Sequence, residues 1–305
     1  MKKLIPGAVF AAALSLSVSV PAFADLRVFA CEPEWGALST EIGGDHVDIY
    51  TATTGGQDPH HIQARPSLIA RARRADILVC TGASLEIGWL PQVLRQAANR
   101  DIAEGQPGHF EATSFVTMLE VPASLDRSQG DVHAPGNPHV QTNPNNIAII
   151  ARALAQRFAE LDPANAEVYQ ARLADFLQRW ETALLRWEAE AAPLRGIPVV
   201  TQHQSWVYLE DWLGLDRIAV LESQPGVPPS SGHLAEVVAT LQSQPARMVI
   251  RAAYEDDRPT NFIAERLGIA AVELPFTVGG SDEAGDLFGL YDDTLRRLLA
   301  AVTQE

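Results

Sequence analysis

The chain has 305 residues, 47% of them hydrophobic, and a formal net charge of −15 at pH 7. This acidity excludes nucleic acid and anionic lipid as partners, because both carry the same sign of charge. The apolar content is sufficient for two modest domains, and the presence of only two cysteines excludes a zinc cluster held by thiolates.

The N-terminus has the organisation of a secretory signal. Lys2 and Lys3 supply positive charge, residues 8–20 form an apolar stretch, and Ala22-Phe23-Ala24 is a small-x-small pattern that signal peptidase accepts. The apolar stretch is too short to span a membrane, which disfavours the alternative of a retained signal anchor. We therefore expect residues 1–24 to be a signal peptide and the mature protein to be periplasmic.

Strand-like apolar runs alternate with helical patterns through most of the remaining chain. Strands are predicted at 26–31, 47–53, 75–80, 115–121, 197–203, 217–222, 247–252 and 270–274. Helices are predicted between them, for example at 67–74, 91–98 and 233–242, whereas residues 104–138 are rich in glycine, proline and polar residues and predict a surface excursion. This alternation is typical of α/β proteins in which helices cover mainly parallel sheets.

A long helix is predicted between the two groups of four strands. Asp162-Pro163 is typical of a helix start, and no glycine or proline interrupts the helical pattern until Pro193. About 30 residues at ~1.5 Å each give a rod of roughly 45 Å. We expect residues 162–193 to join an N-terminal lobe, 25–161, to a C-terminal lobe, 194–305. The alternative is an ordinary long helix inside one domain.

The two cysteines each end a predicted strand. Cys31 follows the first strand and Cys80 the third, and these strands could be neighbours in a doubly wound sheet. A disulfide between them would close a long loop and stabilise the fold by about 4 kcal/mol. Two buried free thiols are the alternative. The charged residues Asp25 and Arg27 lie shortly before Cys31 and argue against its lipidation.

Three of the eight histidines lie where ligands bind in open α/β sheets. His60 is in the loop after the second strand, His203 ends the fifth, and His139 lies in a loop that could join them. Such sites form beyond the carboxyl ends of strands. Pro59 and Pro138 restrict the backbone directly before two of these histidines, which favours preorganised ligands.

The motifs around these histidines resemble those of the ZnuA/TroA family, the metal-specific solute-binding proteins of ABC importers. They are Asp58-Pro59-His60, Asn137-Pro138-His139 with Asn143-Pro144, and His203 followed by Tyr208-Leu209 and Gly214-Leu215. The resemblance implies two α/β lobes with mainly parallel four-stranded sheets, joined by one rigid helix, with metal in the cleft. It implies His60, His139 and His203 as ligands. In the family, histidine at the third position accompanies zinc, and imidazole indeed suits zinc whereas carboxylate suits manganese.

The fourth ligand is less directly indicated. Some relatives place an acidic residue just before an aromatic in the last helix, which makes Asp286 the candidate, and capping of that helix is its alternative role. Glu32 and Glu34 are outside candidates for supporting or replacing a ligand. His61 is a rival to His60 because the two are adjacent. The histidine-rich loop of the zinc members is nearly absent here, with only His109 and His133 near it.

The predicted function is high-affinity capture of zinc in the periplasm and delivery to an ABC membrane permease. The protein is expected to be a monomer and not an enzyme, and loading by a periplasmic metallochaperone stays open. A manganese- or iron-binding protein of the same family is the first alternative, and a surface adhesin is another. A zinc hydrolase is disfavoured, since no His-Glu-x-x-His motif and no general base beside a ligand are present.

Overall fold

The computed structural model describes residues 25–123 and 130–303. The predicted signal peptide, residues 1–24, lies outside the described residues. Within them, no helix has the length and apolarity needed to cross a bilayer.

The first lobe contains a four-stranded parallel sheet in the order β2-β1-β3-β4. Its strands are β1 (Leu26–Ala30), β2 (Val47–Thr51), β3 (Ile77–Cys80) and β4 (His109–Glu111). Its helices are α1 (Pro33–Gly43), α2 (Pro66–Ala72), α3 (Leu90–Ala97) and α4 (Pro144–Leu161). Every residue of β3 is buried, as expected for a central strand covered by helices on both faces.

The second lobe repeats this topology, with the strand order β6-β5-β7-β8 and only parallel pairs among the described strands. Its strands are β5 (Pro198–Thr201), β6 (Asp216–Val220), β7 (Met248–Ala252) and β8 (Ala270–Leu274). Its helices are α6 (Val207–Leu213), α7 (Ser231–Ser243), α8 (Asp257–Leu267) and α9 (Leu287–Thr303). In both sheets the strand order reverses beside the first strand of the lobe, which places a crevice at the carboxyl ends there.

The long helix α5 (Ala166–Glu190) runs between the lobes. Its 25 residues correspond to about 38 Å at ~1.5 Å per residue, somewhat shorter than expected because residues 163–165 form a separate 3₁₀ turn. Its first half packs on α4, where Tyr169 contacts Phe158. Its second half packs on α9, where Trp187 contacts Tyr291 and donates its indole N–H to Asp292. The helix therefore belongs to both lobes.

The largest hydrophobic cluster of the described residues is shared by both lobes. One face of each sheet contributes to it, together with α4, α5 and α9, so that Val28 of β1 and Ile250 of β7 belong to the same buried cluster. The other face of each sheet packs in a separate cluster, around Leu78 in the first lobe and Val249 in the second. Because successive side chains of a strand point to opposite faces of the sheet, alternate residues belong to the cluster shared by the lobes and to the cluster within one lobe.

The predicted fold class, two α/β lobes with parallel four-stranded sheets and a connecting helix, is confirmed. One predicted strand is wrong. The segment 115–121 is not a strand; the fourth strand is His109–Glu111, three residues that pair with β3. Segment 115–121 instead turns toward the second lobe, where the Leu119 amide donates to the Tyr208 hydroxyl at 3.0 Å.

The disulfide is formed between Cys31 and Cys80, whose Cα atoms are 4.8 Å apart. Cys31 directly follows β1, and Cys80 is the last residue of the neighbouring strand β3. Both cysteines are buried. The alternative of two free thiols is thus wrong. A buried, bonded Cys31 is also not available as a lipid attachment site.

Candidate metal centre

Three histidines from three separate segments meet between the lobes. His60 follows β2, His139 precedes α4, and His203 follows β5. One ring nitrogen of each lies within 4.8 Å of those of the other two, and all three side chains are buried. Their ring centroids are 5.5 to 5.9 Å apart. With Zn–N bonds of about 2.0–2.1 Å, tetrahedrally arranged imidazoles have ring centres roughly 5 Å apart, so these rings need only a small contraction around one ion.

Each of the three rings is oriented by an oxygen at Nδ1. The acceptors are Asp58 for His60 at 2.8 Å, Asn137 for His139 at 2.8 Å, and Glu222 for His203 at 2.7 Å. Because a carboxylate or amide oxygen can only accept, the proton of each neutral ring is placed on Nδ1 and the lone pair on Nε2. The Nε2 atoms of His60 and His139 are buried and have no hydrogen-bond partner among the described residues.

The protonation preferences of the rings differ with their surroundings. Burial, followed by the proximity of His60 and His203, holds the pKa of His139 well below its usual value. Burial also disfavours protonation of His203, but the hydrogen bond and charge of Glu222 outweigh it and raise its pKa. His139 is therefore ready as a neutral ligand, whereas Glu222 makes His203 the more basic donor.

A fourth histidine, His133, lies beside this group. Its ring centroid is 5.4 Å from that of His60 and 6.3 Å from that of His139. Its Nε2 atom is buried without a hydrogen-bond partner among the described residues, while the backbone of Ala83 hydrogen-bonds the ring. Burial and the neighbouring His60 lower its pKa to about 4. The sequence indicated this residue only as a remnant of a loop.

The access route to the histidines is acidic. A cleft of about 250 Å³ is lined by Asp58, Asp131, Glu222 and Glu255 beside His60 and His203. Carboxylates at such an entrance raise the local concentration of cations. His61 lies at this entrance with its side chain 63% exposed, 3.8 Å from the Asp131 carboxylate. The structure thus brings His60 into the group and leaves the rival His61 outside it.

Comparison with known proteins identifies the family. Residues 28–303 match the family ZnuA, described as "Zinc-uptake complex component A periplasmic". The chain belongs to this family. It is 22% identical to the manganese ABC transporter substrate-binding lipoprotein PsaA of Streptococcus anginosus, over 85% of this chain and 82% of the relative. It is 22% identical to the iron ABC transporter substrate-binding lipoprotein MtsA of Streptococcus pyogenes serotype M1, over 83% of this chain and 80% of the relative. A crystal structure of ZnuA covers 90% of this chain with 99% of its own length, at a TM-score of 0.73 and 23% identity.

This ZnuA-family chain is therefore a metal-binding substrate-binding protein of an ABC importer, and such proteins work with a membrane permease. The expectation that it is not an enzyme is confirmed by the family and its relatives. Among the described residues, Asp58 and Glu222 hydrogen-bond His60 and His203 at Nδ1, as orienting groups.

Asp286, the fourth ligand expected from the sequence, is not brought to the histidines. It is exposed, and its Oδ1 accepts the backbone N–H of Gly289 at 2.7 Å. That bond caps the N-terminus of α9, the alternative role considered for this residue. The first turn of any helix benefits from a side-chain acceptor for its free N–H groups, wherever the helix lies in the fold. An aspartate at position 286 is therefore not by itself evidence that the residue lies near the metal.

Replacing Asp286 with alanine is expected to leave zinc affinity unchanged within about twofold and to lower the free energy of unfolding by about 1 kcal/mol, the usual cost of losing a helix cap. Isothermal titration with zinc and urea unfolding measure the two quantities. Asp282→Ala, another exposed carboxylate in the same loop, is the matched control and should change neither. A loss of zinc affinity confined to Asp286→Ala would restore Asp286 as a ligand.

Glu32 and Glu34 are buried but lie outside the group of ligand atoms. The Glu32 carboxylate accepts from the Thr81 amide and hydroxyl, and Glu86 accepts from the same amide at 2.8 Å. Glu34 accepts from the hydroxyl of Thr277, a bond that joins the two lobes. Burial raises the pKa of all three carboxyl groups, and the charge of Glu86 raises that of Glu32 further.

These carboxyl groups give a pH-dependent stability with a defined sign. Because their pKa values are raised in the folded protein, they stabilise it fully below about pH 4.3, and this contribution is lost as pH rises through the folded values. Glu32→Gln is therefore expected to gain stability relative to wild type progressively as pH rises from about 4.5 to about 8, because the glutamine has no charge to bury. Urea unfolding of metal-stripped protein measures it, with the exposed Glu188→Gln as control. A difference between Glu32→Gln and wild type that is independent of pH would contradict the prediction.

Proposed function

We propose that this protein captures zinc in the periplasm and delivers it to the permease of an ABC importer. The observation that carries the proposal is the convergence of three buried imidazoles, His60, His139 and His203, each with its Nδ1 already hydrogen-bonded, which leaves Nε2 as the atom that can bind an ion. Zinc favours imidazole nitrogen, whereas manganese favours carboxylate and water oxygen. The third position, His203, is the one at which carboxylate accompanies manganese in the family.

The orienting groups support high affinity. Asp58 and Glu222 hold the rings of His60 and His203 and also supply negative charge beside them. A site of three neutral imidazoles leaves the charge of the ion unbalanced, so nearby carboxylates offset it without occupying coordination positions. Removing such an orienting group typically costs about 10–100-fold in metal affinity. The predicted signal peptide and the relatives' role in import support a location outside the cytoplasm, facing the permease.

Manganese or iron capture is the second candidate, because the relatives compared above are named for those metals. Both candidates use the same site and differ only in the ion. The inventory of nitrogen donors favours zinc over either alternative.

The test is a competition titration of metal-stripped protein against a chromophoric chelator, with zinc and manganese measured separately. Zinc is expected to bind much more tightly than manganese, as the nitrogen donors and the general order of metal affinities require. Because zinc outcompetes manganese at most sites, His203→Glu is the decisive comparison: the added carboxylate should narrow the zinc-to-manganese ratio. Comparable affinities of the wild-type protein for both metals would argue for the second candidate.

A further inference from the structure

The segment from Gly130 to Gly136 contains His133 and places its ring beside those of His60 and His139. It contacts both lobes: Asp131 donates its backbone N–H to the Pro225 carbonyl at 2.9 Å in the second lobe, and the ring of His133 is hydrogen-bonded to the backbone of Ala83 in the first. Gly130 has φ of +83°, and a Cβ there would lie 2.2 Å from the Pro225 carbonyl oxygen. The close approach of this segment to the second lobe therefore requires glycine.

The His133 segment is linked to the ligand His203 through one short loop. Glu222, which holds the His203 ring, also accepts the backbone N–H of Gly226 at 2.8 Å. Gly226 in turn packs directly against the Asp131 carboxylate, and its neighbour Pro225 accepts the Asp131 amide. Glu222 therefore orients the ring of His203 and, through Gly226 and Pro225, also holds the backbone of the segment that contains His133.

The ring of His133 has features in common with those of His60 and His139. One side of it is hydrogen-bonded, its Nε2 is buried without a partner among the described residues, and its centroid is 5.4 Å from that of His60. Leaving a buried ring nitrogen without a partner costs free energy, about 1–3 kcal/mol, unless a ligand meets it. The separation from His139, 6.3 Å, exceeds the roughly 5 Å of tetrahedral imidazoles by about 1 Å. His133 stands outside the group of three whose ring nitrogens lie within 4.8 Å of one another, so its coordination of the same ion requires the segment to move inward.

We propose that His133 is the fourth ligand of the metal centre, completing an all-imidazole set with His60, His139 and His203. This inference rests on the proposed function, since it concerns the same ion. It assigns the fourth position to a residue of the inter-lobe segment rather than to a carboxylate or a water molecule. Four nitrogen donors satisfy the four-coordinate tetrahedral geometry of zinc and offer nothing to an ion that requires oxygen, so His133 also contributes to specificity.

The first measurement is X-ray absorption of the zinc-loaded full-length protein, in which imidazole scattering counts the histidine ligands. Four imidazoles are expected for wild type, and three plus one oxygen for His133→Ala. Zinc affinity should fall by at least about 100-fold in that variant, more than removal of an orienting partner typically costs. With cobalt in place of zinc, the visible absorption of the tetrahedral site should shift in the same variant.

A second variant separates coordination from a merely structural role. His133→Gln retains an N–H donor for the Ala83 carbonyl but is a poor ligand, so it should lose affinity as His133→Ala does. His46→Ala, directly before β2 and at the end of that strand opposite the site, is the control and should match wild type. If His133→Gln restores wild-type affinity and the cobalt spectrum, or if wild type shows only three imidazoles, the assignment is overturned while zinc capture stands. If wild type binds zinc no better than a His60→Ala/His139→Ala/His203→Ala variant, the proposed function itself fails.

Discussion

Replacing His139 with alanine is expected to lower zinc affinity by about 10²–10³-fold, because binding free energies of about 10–16 kcal/mol shared over four ligands amount to roughly 2.5–4 kcal/mol each. His139 is the most deeply buried of the three histidines, and its Nε2 has no hydrogen-bond partner among the described residues. The ion we propose would be the partner of this atom. Competition with a chromophoric chelator measures the change in metal-stripped protein.

The control for this experiment is His61→Ala. His61 is adjacent to His60 in sequence but exposed at the entrance, so its loss should reduce affinity by less than about threefold, the size of a screened surface interaction. Comparison of His61→Ala with His60→Ala also shows which of these two adjacent histidines is the ligand, because His60→Ala should lose as much zinc affinity as His139→Ala. Full zinc affinity in His139→Ala, with its fold intact by circular dichroism, would exclude the three-histidine centre.

Removal of the disulfide is expected to have the largest effect on stability. Cys31 and Cys80 are separated by 49 residues, and opening a loop of this length costs about 4 kcal/mol in the chain-entropy description. Native proteins are stable by only about 5–15 kcal/mol, so the Cys31→Ala/Cys80→Ala variant should lose a large share of that free energy. Urea unfolding measures the shift of the midpoint.

A reductant provides the matched control within the same experiment. Wild-type protein unfolded in the presence of a phosphine reductant should approach the double variant, while the double variant should be insensitive to the reductant. Alkylation and mass spectrometry of the denatured protein, with and without prior reduction, count the free thiols. Free thiols in unreduced wild type, or equal midpoints for wild type and variant, would contradict the prediction.

The sequence was sufficient for the fold where a strand is buried on both faces. Residues 77–80 are apolar without interruption, and a helical pattern follows, so position and class could both be inferred. The segment 115–121 is also mainly apolar but is not buried: Phe115 and Val121 are exposed, and Leu119 contacts the other lobe, whereas the true fourth strand contains His109 and Glu111. Apolar content alone therefore does not distinguish a partly exposed segment from a buried strand.

The site was predictable to the extent that its residues follow regular elements. His60 and His203 follow β2 and β5, and the topology of parallel sheets brings such positions together. His133 lies in a segment without regular structure, so only its spacing of six residues before His139 could have drawn attention to it. Asp286 lies outside the group of three histidines for the opposite reason: its Oδ1 caps the start of α9, a local role that a sequence motif does not separate from metal binding.

The hydrophobic core shared by the lobes couples the site to the whole molecule. Because α5 and α9 belong to one buried cluster with strands of both sheets, unfolding of either lobe would expose apolar surface of the other, although each lobe also has a smaller cluster of its own. Cooperative, single-transition melting follows from such a continuous core. An ion bound between the lobes then stabilises every residue at once, by about 4.1 kcal/mol at a free concentration 1,000 times its dissociation constant. Metal occupancy would consequently govern resistance to proteolysis along the entire chain, so that the loaded carrier outlasts the empty one.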